Sequence, residues 1–399
     1  MKILYLHQYF RTPEQGGAIR SYYLSDAMVK AGYEVVMITG HNAPKYEIKE
    51  VNGIMVHYLP VFYENKMTYP SRIWAFSKFM VWAFFLSLKI KNISLCYASS
   101  TPMTIGVLAL FIKKAKRIPY FFEVRDLWPE APQQLGILTF KPIIVLAKFF
   151  EKKIYLNARL IVALSPSMKL NISAKKIDKE IVVIPNMADC SFFSRIEESE
   201  KKEIKLEKGL AQKLVIAYFG ALGKANDLSR LLDLAEKLRK HPIHFLILGS
   251  GSEEQKLEAQ VRSSENVEFL GYKNKFELKG ILDYVDAAYI SFAKFPILET
   301  NSPNKFFDGL AAGKVILTNT KGWLKEIIES EACGFYVNEN DESDLQKVIK
   351  LSSNPDQVEK LSEASRRLAE EQFSRQKLTS KLIKIISQAG TKPHALEVG

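Results

Sequence analysis

The most chemically informative stretch of the chain is a predicted short helix that begins with a cation and a carboxylate. Lys305 and Asp308 are three residues apart, so both lie on one face of a helix predicted over residues 305–312. The start of a helix carries free N–H groups and a partial positive charge, which suit a phosphate, and a carboxylate suits the hydroxyls of a sugar. The combination predicts a site for a phosphate followed by a sugar. The alternative is an ordinary ion pair on a helix surface.

A second candidate site follows a strand predicted at residues 120–124. Residues 123–130 contain three acids, one arginine and one tryptophan. Ligands of parallel α/β sheets bind at the carboxyl ends of the strands, so we predict that Glu123, Arg125 and Asp126 are catalytic. A purely structural cluster of ion pairs is the alternative.

Glycine-rich loops follow three other predicted strands. Glycines let the backbone approach a ligand closely, and the helix starts behind them favour an anion. The positions predicted to bind a diphosphate are Gly16, Gly17, Gly220, Gly223, Lys224, Gly249 and Gly251. The last loop departs from a dinucleotide-binding fingerprint because Glu254 stands where the third glycine should be, which disfavours a nicotinamide dehydrogenase.

The order of the predicted elements determines how these loops are positioned. Strands are predicted at residues 3–7, 34–39, 54–59, 94–98, 120–124, 160–164 and 181–184, and again at 214–219, 244–248, 267–270, 287–291 and 315–318. Helical patterns between them indicate βαβ units and parallel sheets. We predict an α/β fold of two doubly wound, Rossmann-like domains facing across a cleft. The predicted limits are 1–188 and 189–373, followed by a C-terminal helix within 374–399 that packs back on the first domain and ends in a frayed tail.

Composition and cysteine content limit the possible classes of protein. Of the 399 residues, 47% are hydrophobic and 25% are charged, which is typical of a globular protein. The three cysteines are far apart and show neither a disulfide framework nor metal-ligand spacing, which indicates a reduced, cytoplasmic setting and no metal site. Residues 1–7 are predicted to be a first strand, because a signal peptide would have a longer apolar core.

The positive charge is confined to the first half of the chain. Residues 1–190 contain 25 Lys and Arg against 13 Asp and Glu, whereas residues 191–399 contain 31 of each, so the first half carries the whole net charge of +12. This distribution predicts an anionic partner for the first half: nucleic acid, anionic lipid or a phosphorylated acceptor. Unevenly placed solubility charge is the alternative.

Two segments of the first half have the features of a membrane-contacting surface. Residues 73–88 are apolar except for Ser77, Lys78 and Ser87, which fits either a buried helix or a helix lying partly in a membrane surface. A second predicted helix places Lys141, Lys148 and Lys152 within about 40° of one another around its axis. These three lysines are predicted to contact an anionic bilayer.

With these motifs in family order, the chain resembles family 4 of the retaining glycosyltransferases, of GT-B architecture, over roughly residues 1–385. The segments 122–130 and 301–308 are similar to stretches that mark bacterial enzymes of capsule and O-antigen synthesis. The resemblance implies a nucleoside diphosphate sugar donor, UDP-linked, held mainly by the second domain. It also implies an acceptor against the first domain, a retained anomeric configuration and no required metal.

The resemblance further implies roles for residues near the predicted helix start. The family's closing motif has two glutamates separated by seven residues. Asp308 occupies the second place, where it would bind ribose, and Glu299 lies one place away from the first. Asn301, Ser302 and Lys305 are implied to share the binding of the sugar and phosphates.

Elsewhere the chain departs from the family's pattern. Ala221 and Asn226 stand where the family has a basic pair that grips the diphosphate, which leaves Lys224 as the nearby cation. Many relatives have a histidine at a strand end of the first domain. Here that place is held by Glu123 or, in a shifted alignment, by Arg125 and Asp126.

Together these features predict a retaining glycosyltransferase, hexosyl- or N-acetylhexosaminyl-type. It would act on a lipid-linked or growing glycan acceptor in cell-surface polysaccharide synthesis. The nucleotide sugar is a substrate rather than a cofactor, and no nucleic-acid partner is expected. The protein would be cytoplasmic and peripheral on the inner face of the cell membrane. Two alternatives stay open: a sugar-nucleotide epimerase on the same fold, and a non-catalytic membrane-associated subunit.

Overall fold

The computed structural model describes residues 1–16, 19–64 and 67–391 and contains two sheets packed against helices. The strands of the first sheet are β1 (Lys2–Leu6), β2 (Glu34–His41), β3 (Glu47–Val51), β4 (Ile54–Pro60), β5 (Ile93–Ser99), β6 (Tyr120–Val124), β7 (Leu160–Ala163) and β8 (Ile181–Val183). Their order is β3-β4-β2-β1-β5-β6-β7-β8, and every pairing is parallel except that between β3 and β4.

Six α-helices lie between successive strands of the first sheet within the described residues. They are α1 (Arg20–Lys30), α2 (Tyr69–Lys89), α3 (Thr104–Lys116), α4 (Glu130–Gln134), α5 (Lys141–Asn157) and α6 (Pro166–Ala174). Residues 3–6 of β1 are completely buried, as expected for an apolar run in the centre of a parallel sheet.

The second sheet repeats this arrangement. Its strands are β9 (Leu214–Ala221), β10 (Ile243–Ser250), β11 (Val267–Gly271), β12 (Ala287–Ile290), β13 (Val315–Thr318) and β14 (Gly334–Tyr336), in the order β11-β10-β9-β12-β13-β14. The remaining helices are α7 (Glu198–Glu207), α8 (Ser229–Lys237), α9 (Glu254–Val261), α10 (Lys275–Tyr284), α11 (Asn304–Ala311), α12 (Trp323–Ser330), α13 (Glu342–Ser352), α14 (Pro355–Leu368) and α15 (Arg375–Thr391). The two parallel α/β units confirm the predicted fold class, whereas the exact domain limits stay a prediction.

Two strands were not predicted from the sequence. β3 consists mainly of charged and exposed residues, because it forms an edge strand that pairs with β4 alone. β14 has three residues, which is too short for a hydrophobic period to be recognised.

The chain crosses between the two units twice, and the two crossings lie side by side. The N–H of Ala188 donates to the carbonyl of Phe373 at 2.8 Å, and the N–H of Arg375 donates to the carbonyl of Ala188 at 3.1 Å. After the second crossing α15 packs against α1, and the Nζ of Lys381 donates to the carbonyl of Val183. The end of the described chain therefore lies on the first unit.

Helix α2 combines features of both alternatives considered for residues 73–88. Phe79 and Ala83 are completely buried, whereas Trp74 and Phe85 are 71% and 60% exposed. One face of α2 thus packs on the protein while the opposite face leaves large apolar side chains in solvent.

Candidate functional site

A cleft of 1610 Å³ lies between the two units, where the carboxyl ends of both sheets face each other. It is lined by the loops after β1, β2, β4, β6, β9 and β10 and by the start of α11. Of the residues predicted to form the site, Arg125, Asp126, Gly220, Gly249, Asn301, Ser302, Lys305 and Asp308 line this cleft. Ligands in doubly wound sheets bind at this position.

Lys305 extends from the first turn of α11 into an aromatic and polar pocket. Its Nζ donates to the hydroxyl of Tyr218 at 2.7 Å and to Oδ1 of Asn226 at 3.0 Å. Among the described residues no carboxylate forms an ion pair with it. Burial lowers the pKa of Lys305 to about 7. When Lys305 is protonated, its positive charge therefore lacks a carboxylate partner in the pocket, and an anionic ligand would supply one.

Asp308 lies one helical turn after Lys305 and also faces the cleft. Burial raises the pKa of its carboxyl to about 7, with the charge of Asp189 adding to the rise and that of Lys275 opposing it. No side-chain hydrogen bond is formed by this carboxyl within the part of the chain that the structure describes. The group is therefore available to accept hydrogen bonds from a ligand's hydroxyls.

Gly220 and Gly249 end the neighbouring strands β9 and β10 and bring their backbones into the cleft lining. Gly249 has φ 145°, and a Cβ there would lie 1.8 Å from the carbonyl oxygen of Gly220. Only glycine permits this approach. The glycine at position 249 is therefore required for the close approach of β9 and β10 beside the cleft.

The other predicted positions of these loops lie away from the cleft lining. Gly251 is required for packing, because a Cβ there would lie 2.1 Å from the carbonyl oxygen of Leu222. Gly223 and Lys224 are also outside the lining, and the side chain of Lys224 is exposed. The cation that lies beside Asn226 is therefore Lys305 rather than the predicted Lys224.

Neither Gly16 nor Glu299 belongs to the cleft lining. Gly16 is buried, and a Cβ at this residue would lie 3.9 Å from the hydroxyl of Tyr272 in the second unit. Gly17 lies outside the described residues. Glu299 belongs to the 3-10 helix Pro296–Thr300, where its backbone packs against Gly322, and it does not contribute to the cleft lining.

Glu123 lies below the cleft rather than in it, which differs from its predicted contact with the substrate. Its side chain is completely buried, and its carboxylate accepts hydrogen bonds from Arg20, from the hydroxyl of Tyr97 at 2.7 Å and from the hydroxyl of Ser99 at 2.7 Å. Burial disfavours the charge, but the Arg20 guanidinium outweighs it and holds the pKa of Glu123 at about 2. All the hydrogen bonds that this carboxylate accepts therefore come from side chains of the protein.

Arg20 also forms hydrogen bonds to the segment that connects the two units. Beyond Glu123, its guanidinium donates to the carbonyl of Ile184 at 2.8 Å and to that of Pro185. Both carbonyls precede the first crossing. The buried pair therefore ties the start of α1, the end of β6 and the crossing segment together.

Arg125 and Asp126 are held at the cleft surface by side chains from neighbouring strand ends. The Nη1 of Arg125 lies 3.2 Å from Nε2 of His7, and the Nδ1 of His7 lies 3.3 Å from the carbonyl oxygen of Ser99. Burial, reinforced by the Arg125 charge, lowers the pKa of His7 to about 3, so its ring is neutral and can accept from Arg125. Asp126 accepts a hydrogen bond of 2.7 Å from the hydroxyl of Thr101.

Hydrogen bonds from both units hold the segment 300–302. The Nδ2 of Asn186 donates to the carbonyl of Ser302 at 2.6 Å, and the hydroxyl of Ser165 donates to the carbonyl of Thr300 at 2.6 Å. The indole of Trp323 donates to the carbonyl of Asn301 at 2.8 Å. These bonds fix the loop that leads into α11.

A second set of contacts converges on Asp189, in the first crossing. Its carboxylate accepts from the hydroxyl of Tyr23 at 2.6 Å and from the Nζ of Lys275 at 3.1 Å, and it lies 3.5 Å from Nη1 of Arg375. Tyr23, Asp189 and Lys275 all line the cleft. A single carboxylate thus contacts α1, α10 and α15.

Several cleft residues were not predicted from the sequence. His7 and Gln8 directly follow β1, so the rule that ligands bind at strand ends should have identified them. Asn186 follows the last strand of the first sheet in the same way. Lys275 begins α10 and carries no local signal of its position.

Outside the cleft, α2 and α5 expose apolar and basic side chains together. Val145, Leu146 and Phe149 on α5 are more than half exposed. The predicted membrane-contact residues Lys141, Lys148 and Lys152 are all exposed on the same helix. Among the described residues, no helix is both long and apolar enough to cross a bilayer.

Comparison with known proteins assigns a family to each half of the chain. Residues 15–187 match the glycosyl transferase 4-like domain, and residues 199–368 match the glycosyl transferases group 1. A putative colanic acid biosynthesis glycosyl transferase, WcaI, of Escherichia coli is 26% identical over 172 residues, which is 42% of each chain. Spore coat protein SA of Bacillus subtilis is 24% identical over 205 residues, 46% of this chain and 52% of that protein. The chain thus matches about half the length of these curated relatives.

Solved structures share the fold over nearly the whole chain. HepE of Anabaena in complex with UDP and glucose has a TM-score of 0.65 at 15% identity, covering 97% of this chain and 100% of its own. Sucrose-phosphate synthase of Thermosynechococcus elongatus has a TM-score of 0.74 at 15% identity, covering 97% and 98%. WaaG, a glycosyltransferase involved in lipopolysaccharide biosynthesis, has a TM-score of 0.67 at 15% identity, covering 97% and 100%. At these identities the similarity shows the fold.

Proposed function

The chain belongs to the glycosyltransferases of GT-B fold, and from that premise we propose that it transfers a sugar from a UDP-linked donor to a lipid-linked or growing glycan acceptor. The transfer retains the anomeric configuration and serves the synthesis of a cell-surface polysaccharide. The likeness of part of the chain to the colanic acid protein supports the choice of pathway class.

The observation that carries this proposal is the buried position of Lys305 at the start of α11, where no carboxylate of the described residues forms an ion pair with it. The pKa of a lysine in such a pocket is lowered, here to about 7, because its charge is poorly solvated. A diphosphate would provide the missing counter-charge, and the free N–H groups of the helix start would bind the same anion. Asp308, one turn later, would accept hydrogen bonds from the ribose hydroxyls.

The same groups suit the departure of the nucleoside diphosphate. When the bond between the sugar and the diphosphate breaks, negative charge builds up on the leaving oxygen. Lys305 and the α11 start are fixed before the reaction, so they stabilise this charge without reorganising. Since these groups supply positive charge at the diphosphate, we further propose that no metal is required, and transfer should persist in EDTA.

On the opposite wall, Arg125 and Asp126 would contact the acceptor and the reacting sugar. Both line the cleft, whereas the hydrogen bonds of Glu123 are already used. The neutral ring of His7 keeps the Arg125 guanidinium directed along the strand ends. Asp126 would accept a hydrogen bond from the attacking hydroxyl.

The acceptor side would dock on the inner face of the cell membrane. The exposed apolar residues of α2 and α5 would enter the headgroup region, and Lys141, Lys148 and Lys152 would attract anionic lipids. Each such lysine contributes about 1 kcal/mol near an anionic surface, so docking is reversible. The excess of positive charge in residues 1–190 supports an anionic bilayer as the surface to which the first unit binds.

A ligand screen by thermal shift tests the donor class. UDP at about 100 times its Kd should stabilise the protein by about 2.7 kcal/mol, whereas NAD should cause no shift. If no nucleoside diphosphate stabilised the protein, the proposal would fail. Turnover of a UDP-sugar to a free epimer without any acceptor would favour the epimerase, and NMR of the product's anomeric proton would test retention.

A further inference from the structure

The carboxamide of Gln8 is a buried polar group without a partner at the wall of the cleft. Its side chain is 2% exposed, and neither Nε2 nor Oε1 forms a hydrogen bond to the described residues. Gln8 nevertheless belongs to the cleft lining. Because a buried donor and acceptor left unpaired destabilise the fold, this arrangement needs an explanation in function.

The backbone around Gln8 is fixed, so this placement is not that of a loose loop. The N–H of His7 donates to the carbonyl of Ile38 at 3.2 Å. The carbonyl of Gln8 accepts from the hydroxyl of Thr39 at 3.2 Å and from the N–H of Gly40 at 3.1 Å. The backbone of Gln8 is thus fixed at the strand end, where the residue lines the cleft.

Gln8 lies in the part of the cleft that belongs to the first unit. Its neighbours are the ends of β2 and β4. A Cβ added at Gly40 would lie 3.3 Å from the carbonyl oxygen of Gln8 and 3.6 Å from that of Val61. The contacts to the second unit at Ser165 and Asn186 follow β7 and β8, at the other side of the sheet. The position of Gln8 therefore favours a contact with the acceptor over one with the nucleotide.

The chemistry of the carboxamide limits which groups it can bind with both atoms. Its N–H and C=O point in the same direction, a short distance apart. Two hydroxyls on adjacent carbons of a sugar ring match this pattern, because one can accept from Nε2 while the other donates to Oε1. An acetamido group cannot, because its trans amide directs N–H and C=O to opposite sides. A phosphate cannot either, because it offers Oε1 no proton near neutral pH.

Aromatic side chains complete the site beside Gln8. The rings of Tyr9 and Tyr63 lie 4.7 Å apart between centroids, and both residues line the cleft. Ring faces that carry partial negative charge suit the C–H groups of a pyranose.

From this geometry we infer that Gln8 binds a pair of adjacent hydroxyls on the terminal sugar of the acceptor. The acceptor group in the cleft is then a saccharide, rather than the phosphate of a bare lipid carrier. This inference rests on the proposed function, because it assumes that the cleft also binds a nucleotide sugar.

The test measures binding of simple glycosides to the protein saturated with UDP. Saturation-transfer NMR would use the methyl α-glycopyranosides of glucose, galactose, mannose and rhamnose, all of which carry adjacent hydroxyls. We expect at least one to bind the wild type and to lose its signal at least 10-fold in Gln8→Leu. Gln8→Glu should retain binding, because a carboxylate accepts from two adjacent hydroxyls. Gln8→Met serves as a second apolar variant if Gln8→Leu does not fold.

Thermal stability separates a binding role from a structural one. Removing two unpaired buried polar atoms should raise the melting temperature of Gln8→Leu, whereas loss of a structural amide would lower it. Equal glycoside signals in wild type and Gln8→Leu, no signal from any glycoside with the wild type, or loss of the UDP shift in Gln8→Leu would each overturn the inference. A wild type without a UDP shift would instead reject the proposed function.

Discussion

The Nη2 of Arg20 and the Oε2 of Glu123 lie 2.8 Å apart beneath the cleft, with side chains that are 3% and 0% exposed. The two residues are separated by 103 positions in the sequence. Their ion pair joins α1 to β6, and Arg20 extends the connection to the carbonyls before the first crossing. Since both charges are buried, removal of either one leaves the other uncompensated.

Glu123→Gln should therefore act first on stability. We expect a loss of about 3–5 kcal/mol in the free energy of unfolding, measured by urea denaturation. The double variant Arg20→Met with Glu123→Leu removes both charges and should recover most of this loss. Because the pKa of Glu123 is lowered to about 2, its contribution is present above the unfolded pKa of about 4.3 and is lost as pH falls toward 2. If Glu123→Gln loses turnover while its stability is unchanged, Glu123 takes part in the reaction itself.

Lys305→Met should abolish or strongly reduce the thermal shift caused by UDP. A hydrogen bond to a charged group contributes about 1.5–3 kcal/mol, which corresponds to a rise in Kd of roughly 10- to 150-fold. Lys224→Met is the matched control, because Lys224 is exposed and outside the cleft lining. The assignment is wrong if isothermal titration gives the two variants equal affinity for UDP.

Asp308→Asn should make the stability of the free protein less dependent on pH. Burial raises the pKa of Asp308 to about 7, so between about pH 4 and 7 the folded protein holds a proton that the unfolded chain has released. This group therefore destabilises the fold progressively as pH rises, by at most about 1.4 kcal/mol per pH unit. The gain from Asp308→Asn should be near zero at pH 4 and largest at pH 7, by urea denaturation across that range. A constant difference would contradict the expectation, and UDP binding should weaken in the same variant.

Triple replacement of Lys141, Lys148 and Lys152 by Glu should release the protein from anionic vesicles. Attraction to anionic lipid decays over about 8 Å at physiological salt, so co-sedimentation with phosphatidylserine vesicles should also fall as salt rises. The matched control replaces the exposed lysines at 256, 350 and 360 of the second unit in the same way and should still bind. If vesicle binding changes neither with salt concentration nor with lipid charge, electrostatic docking is wrong. If it required the exposed residues of α2 instead, insertion of apolar side chains would explain it.

The sequence predicted what depends on local pattern. Continuous apolar runs identified the central strands, and the predicted β6 and β13 agree with the structure to the residue. The helix start with Lys305 and Asp308 was also predictable, because their spacing is set within one turn. The edge strand β3 was not, since charged residues that protect a sheet edge resemble those of a loop.

What the sequence could not reveal is how distant residues share their hydrogen bonds. Glu123 stands at a strand end, which normally indicates a ligand contact, yet Arg20 lies a hundred positions away and occupies it. Lys275 reaches the cleft through the orientation of α10, which no local pattern encodes. No binding role was predicted for Asn226, because it lies beside Lys305 only through the approach of the connection after β9 to α11.

The return of α15 to the first unit affects the order in which the chain can fold during synthesis. Helix α1 is synthesised before the second unit, and its surface against which α15 packs stays uncovered until the second unit has been translated. Domains generally fold as units from the N-terminus, but the first unit stays incomplete until α15 reaches it. A chain that ends at residue 373 would contain the described strands of both sheets but lack the helix that covers α1.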